Sequence, residues 1–338
     1  QVSTGGGLRL GFPVTEFLSF GTRYNLVFDD ISLDRSLFFR DIDADGDVEC
    51  DPLRAGRYLC DELGKRTTSS IGYSLAFDNT DGIRPTRGQR MVVSQDFAGL
   101  GGSVRYLRTR ADATKYRSLG GGFVVSGHLE GGYIHPLQKS PGPGRDAVRL
   151  TDRFFGPQMR GFDIRGIGPR IQRIPYTSDG ELLTDEARVT DALGGRAYYM
   201  GRVELEIPVG SGIRSLGLRP SAFVDIGSVW ALKKPLLTDI GIVCTPFATV
   251  PGGQLFLDPG EQCPGVGPAG QLPTDDYSRT PGFKEIYLGD TPSPRISVGV
   301  GVNWVSPFGP LRLDIAKAIV KQEGDDTKLF NFNVGTQF

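Results

Sequence analysis

Polar and apolar residues alternate one by one along much of this chain. Residues 197–207, AYYMGRVELEI, set Tyr199, Val203, Leu205 and Ile207 against Arg202, Glu204 and Glu206. In LRPSAFVDIGSVW, residues 218–230, Leu218, Ala222, Val224 and Ile226 alternate with Arg219, Ser221 and Asp225, and Ser228 falls where the phase slips. RISVGVGVNW, residues 295–304, alternates Ile296, Val298, Val300, Val302 and Trp304 with Ser297, Gly299, Gly301 and Asn303. A period of two marks strands with unlike faces, and turn residues separate these runs. No 3.6-residue stripe of useful length interrupts them, so the chain is predicted to be all-β. Periodicity alone leaves two readings open, because a soluble sandwich and a membrane barrel both bury or expose alternate positions.

Composition narrows this little. The net charge of -1 gives no general bias towards nucleic acid or anionic lipid. No apolar run approaches the ~18 residues of a membrane-spanning helix, which excludes a helical membrane protein but not a barrel. The chain opens on Gln1 without initiator Met or secretion signal, as expected of a processed or excised piece.

Three features favour a barrel in lipid. Short turns such as SPFGP and DNTDG alternate with long polar loops over residues 33–66, 137–195 and 231–294, an asymmetry expected when one rim faces the periplasm and the other the exterior. Aromatic residues Phe12, Tyr133, Tyr198, Trp230 and Trp304 stand near strand ends, where girdles meet the lipid interface. The chain closes on LFNFNVGTQF, with Phe330, Phe332, Val334 and Phe338 on one face and Asn331, Asn333, Gly335 and Gln337 on the other. This strand resembles the C-terminal sorting signal of outer-membrane barrels, from which Thr336 departs.

Within the second long loop lies QMRGFDIRGIGPR, residues 158–170, an irregular cationic segment between strand-like flanks. Its MRGF and IGPR pieces resemble the arginine-bearing sixth extracellular loop of the BamA family of outer-membrane insertases, whose relatives include TamA and the two-partner-secretion transporters. Collinear pieces agree: LRLGFPVTEFLSFGTRYNL, LGGRAYYMGRVELEIPV, FVDIGSVW, NWVSPFGPLRLDIAKAI and the closing strand. IGPR and SPFGPL favour the BamA branch over the transporters.

The resemblance implies a transmembrane antiparallel β-barrel of sixteen strands in the outer membrane of a Gram-negative bacterium. About eleven strands can be counted here, starting near Gly6, so residues 1–338 are expected to be the C-terminal part of a single barrel domain. Its first strands and the preceding periplasmic POTRA domains lie outside this sequence. The large loop is expected to fold into the lumen and present Arg160, Gly161, Phe162, Ile167, Gly168 and Pro169. The partners of its arginine fall by alignment on Glu206 and Asp225, both on polar strand faces. A guanidinium withdrawn from water needs such partners. Gly161 and Gly166 would permit tight turns, and Phe162 would seat the loop. The alternative is an exposed loop with solvated arginines.

The implied function is the core of the β-barrel assembly machinery, folding and inserting outer-membrane proteins through a lateral gate without covalent chemistry. Residues 329–338 would supply one side of that gate, with Phe330, Phe332, Val334 and Phe338 on the lipid face and Gly335 weakening the pairing. Partners would be unfolded outer-membrane protein clients, outer-membrane lipids, and lipoproteins and periplasmic chaperones reached through the N-terminal domains. The competing readings are a two-partner-secretion transporter and a passive porin.

Other constellations carry less. In DIDADGDVE, residues 41–49, Asp41, Asp43, Asp45 and Gly46 have EF-hand spacing, but Pro52 stands where the bidentate Glu belongs. Calcium and a solvated acidic loop tip are the two readings, the second favoured. Cys50 and Cys60 share the first long loop and Cys244 and Cys263 the last, which favours local disulfides among three connectivities. A cysteine metal site is disfavoured, because CxxC spacing is lacking and the two histidines, His128 and His135, lie elsewhere. No GxSxG, HExxH or phosphate loop occurs, so neither an enzyme nor a cofactor is expected. The basic run VRYLRTRADATKYR reads as a polar wall or a lipid-headgroup contact, not a nucleic-acid surface, for want of a stacking platform.

Overall fold

The structure, a computed structural model, describes residues 2–41, 47–82, 85–177, 180–183, 188–210, 212, 216–246, 254–259, 261, 263, 277–306 and 309–334. In chain order the strands are β1 (Val2–Pro13), β2 (Leu18–Ile31), β3 (Phe39–Arg40), β4 (Glu49–Cys50), β5 (Gly64–Asp78), β6 (Gly88–Gly102), β7 (Tyr106–Gly120), β8 (Phe123–Pro136) and β9 (Arg170–Pro175). There follow β10 (Val189–Ala192), β11 (Ala197–Glu206), β12 (Leu218–Trp230), β13 (Asp239–Pro246), β14 (Leu255–Leu257), β15 (Tyr277–Leu288), β16 (Arg295–Ser306), β17 (Gly309–Val320) and β18 (Phe330–Val334).

Eleven strands form one sheet in the order β1-β2-β5-β6-β7-β8-β11-β12-β16-β17-β18, every neighbouring pair antiparallel. Each strand thus pairs with the next wall strand in sequence, as in an up-and-down barrel wall. The expected strand count is met, with the first strand beginning at Val2 instead of near Gly6.

Burial along the wall is the reverse of a water-soluble sheet. Val203 is 55% exposed and Val300 57%, whereas Asp225, Ser297 and Asp314 are fully buried. Apolar residues therefore line the outer face and polar ones the inside, the arrangement that lipid demands and water opposes. This decides between the two readings that periodicity left open.

The girdle expectation needs one correction. Phe12, Tyr133 and Trp304 are exposed, but Tyr198 is buried against Phe154, with ring centroids 4.7 Å apart. Its even position puts it on the face opposite Tyr199, which stacks edge-on with Trp230.

The last two long loops are also more ordered than their polarity suggested. They contribute a second antiparallel sheet, β10-β9-β15-β13-β14, joined across more than a hundred residues by the pairing of β9 with β15. RIQRIP, residues 170–175, carries no clean period of two and stands among Gly and Pro, so it gives little strand signal by itself. Both local disulfides are formed, Cys50–Cys60 and Cys244–Cys263. Most of the acidic segment with EF-hand spacing, residues 42–46, lies outside the described residues.

Candidate functional site

The segment 156–170 packs on the polar, inward face of the eleven-stranded sheet, seated in part by apolar contacts. Met159, Phe162 and Ile167 are buried in a cluster with Met200 and Val229 of the wall. Gly161 adopts φ +86°, and a Cβ there would stand 2.9 Å from Ser297 Cβ. Gly168, at φ +96°, would place one 2.8 Å from Val229. Only glycine combines that conformation with such close approach. Pro169 is fully buried next to it.

This seating delivers Arg160, 4% exposed, to the polar wall. Its Nε and Nη2 donate to Asp225 at 2.9 and 2.5 Å, and Nη1 donates to Glu204 at 2.9 Å. The guanidinium lies over the Phe223 ring, 3.2 Å from its centroid, and the Arg160 carbonyl accepts from Ser297 Oγ at 2.5 Å. Asp225 also accepts from Arg202 Nε at 3.1 Å, while Glu204 and Asp314 share Arg312 at 3.0 and 2.9 Å. Three guanidiniums and three carboxylates from the loop, β11, β12 and β17 form one network. Such density of charge withdrawn from water is tolerable only when each group is paired and hydrogen-bonded.

The partner set differs from the sequence expectation at one position. Glu204, not Glu206, joins Asp225 around Arg160, and Glu206 pairs with Arg219 at 3.1 Å, where both side chains are partly open. Both glutamates occupy the same face of β11, so alternation alone could not choose. The choice follows from depth, since Glu204 is opposite Phe223 and beside Asp225, whereas Glu206 is opposite Ser221 towards the short-turn rim. Phe223, Arg312 and Asp314 also escaped notice, although their even spacing from Asp225 and from each other placed them on inward faces.

A second set of bonds ties the loop to the hairpin that leads into β18. Asp163 N donates to Asp326 O at 3.0 Å, Asp326 N to Gly166 O at 2.9 Å, and Lys328 N to Gly161 O at 3.2 Å. Phe162 forms a bridge with Thr327. Arg170 Nη1 donates to Asp326 at 2.6 Å, and Gln158 Nε2 donates to Asn331 of β18 at 3.3 Å.

β18 pairs with β17 from Leu311↔Val334 to Ile315↔Phe330. Phe330 and Phe332 face outward and are exposed, while Asn331 is buried. Gly335 and Phe338 lie outside the described residues.

Comparisons with known proteins agree on the family. The Omp85 superfamily domain matches residues 1–338. The outer membrane protein assembly factor BamA of Neorickettsia risticii is 26% identical over 338 residues, covering 99% of this chain and 34% of the relative. BamA of Neisseria meningitidis is 24% identical over 261 residues, covering 75% and 26% respectively. The chain therefore spans about a third or less of these curated relatives. The crystal structure of BamA from Haemophilus ducreyi lacking POTRA domains 1-3 superposes with a TM-score of 0.60 at 22% identity, covering 98% of this chain and 53% of that one, which supports the barrel fold. With an inside-out strand pattern, a lumenal arginine loop and a family match across its whole length, this outer-membrane β-barrel chain belongs to the Omp85 superfamily.

Proposed function

We propose that the chain is the core of an outer-membrane protein assembly factor that folds and inserts client barrels through a lateral gate, of which β18 forms one side. The observation that carries this reading is the coupling of loop to gate strand: the segment locked on the wall by Arg160 is hydrogen-bonded to the 325–328 turn and, through Gln158, to Asn331. The state of the loop can thereby bias the state of the strand.

The described part of β18 contributes five residue pairs with β17, against eleven between β17 and β16. Fewer ladder bonds over the described residues leave less to lose there, and β18 is an edge strand of the described sheet, whose outer N–H and C=O groups face away from β17. In hydrocarbon such groups demand a partner, which gives an incoming client strand a strong reason to add by β-augmentation. Hydrogen bonds and burial perform the work, and no covalent step is required. In this reading the chain is the C-terminal part of a single barrel. Clients are unfolded outer-membrane proteins, and lipoproteins and chaperones act through domains preceding the barrel.

Reconstitution of the full-length protein in liposomes tests this. An unfolded outer-membrane barrel should acquire protease resistance faster with the intact protein than with one lacking Leu329–Phe338. Solute flux without any acceleration of folding would replace the assembly reading with that of a pore or transporter.

A further inference from the structure

Pairing of β7 with β8 sets two carboxylates face to face. Asp112 lies directly opposite Glu130, and Thr114 directly opposite His128. Leu129 and Tyr133 are exposed on the outer face, so His128 and Glu130 belong to the lumenal one. Like charges opposed across an antiparallel pair destabilise it unless a cation intervenes. Among the described residues no Lys or Arg is ion-paired with either carboxylate, and the basic group that faces both is imidazole: His128 Nε2 is 3.5 Å from Asp112 Oδ2 and 3.5 Å from Glu130 Oε1.

One possible ligand atom from each of Asp112, His128 and Glu130 lies within 4.8 Å of the other two. Two metal–ligand bonds of about 2.0–2.1 Å at a tetrahedral angle separate their ligand atoms by about 3.3–3.4 Å. The observed 3.5 Å matches that edge and exceeds a normal N–H···O hydrogen bond. Outer contacts orient the donors as well. Thr114 Oγ1 is 2.8 Å from His128 Nδ1, which turns Nε2 towards the carboxylates, and the Tyr198 hydroxyl donates to Glu130 Oε2 at 3.4 Å, leaving Oε1 directed at the imidazole. Oriented donors of this kind are typical of metal ligands.

We propose that His128, Asp112 and Glu130 form a lumenal site for a divalent transition-metal ion of the zinc class. One imidazole and two carboxylates suit such an ion better than magnesium or calcium, which favour oxygen ligands throughout. All three side chains are partly open to the lumen, so water can complete the coordination. The ion would staple β7 to β8 and, through Tyr198 packed edge-on against Phe154, brace the root of the arginine loop.

Full-length protein prepared without a polyhistidine tag and stripped with chelator is titrated with zinc chloride by calorimetry at neutral pH, and with cobalt(II) by visible absorption. A single saturable zinc site with a cobalt ligand-field band is expected, absent in His128→Ala. Thr114→Val keeps every ligand and should weaken binding about 10- to 100-fold. Heat-dependent gel mobility establishes that each variant is folded. No saturable zinc heat with the parent protein, unchanged binding in His128→Ala, or equal binding of calcium would overturn the site and leave His128 as a hydrogen-bonding bridge between two carboxylates.

Discussion

Arg160 and Asp225, 65 residues apart in sequence, meet through two parallel N–H···O bonds of 2.9 and 2.5 Å, with both side chains at most 5% exposed. This fork-to-fork geometry fixes the loop's position as well as its attraction to the wall. Removal of the arginine leaves buried Asp225 with Arg202 as its remaining guanidinium and Glu204 with Arg312. Arg160→Ala should therefore destabilise the folded barrel measurably, but by less than the ~3–5 kcal/mol of a fully uncompensated buried charge. Arg160→Lys should recover only part of this, because an ammonium cannot reproduce the planar fork. Denaturant-dependent loss of heat-modifiable mobility measures both, and equal stability of the alanine variant would exclude a locking role.

The two glutamates of β11 should separate cleanly. Glu204→Gln weakens two arginine contacts in a buried network and should destabilise measurably. Glu206→Gln touches a partly open pair with Arg219 and should change stability by less than about 1 kcal/mol. Equal effects in parallel unfolding curves would refute the assignment of Glu204 as the buried partner.

Phe223 presents its ring face to Arg160. Phe223→Leu keeps an apolar side chain but removes the ring quadrupole, and should cost about 2 kcal/mol in a desolvated setting. In an Arg160→Ala background the same substitution should cost much less, and additivity in this double-mutant cycle would show that the two side chains are uncoupled.

The turn between β5 and β6 carries a pH signature. Thr86 Oγ1 and N and Arg87 N donate to the Asp81 carboxylate, and these bonds, the Thr86 side chain first, hold its pKa at about 2. A folded pKa below the unfolded value of about 3.9 means that the contribution is present above that pH and is lost as pH falls through the folded pKa. Carboxyl chemical shifts of Asp81 should therefore titrate near 2, and a midpoint near 4 would show that the turn bonds do not form.

Oxidised protein from the cell surface should run lighter than its reduced form by one hydrogen per cysteine, and proteolysis should join Cys50 to Cys60 and Cys244 to Cys263. Detection of peptides crossing between the two loops would reject local pairing.

Strand identity, the order of the wall and the division of each strand into an apolar and a polar face were legible in the sequence, because a period of two is imposed on each strand by its own pleat and sequential antiparallel pairing follows from short turns. The arginine loop was legible as well, since its glycines and charges are out of keeping with the strands around it. The pattern could not say which face met lipid. Alternation is symmetric, and only the burial of Asp225 and Asp314 beside the exposure of Val203 and Val300 breaks that symmetry. Nor could it choose Glu204 over Glu206, or bring Asp112 opposite Glu130 beside His128. Those choices depend on inter-strand register and on the depth a loop reaches, and both arise from contacts between residues distant in the chain. Each strand carries its own periodicity, but only the tertiary structure decides which charges share the space between strands.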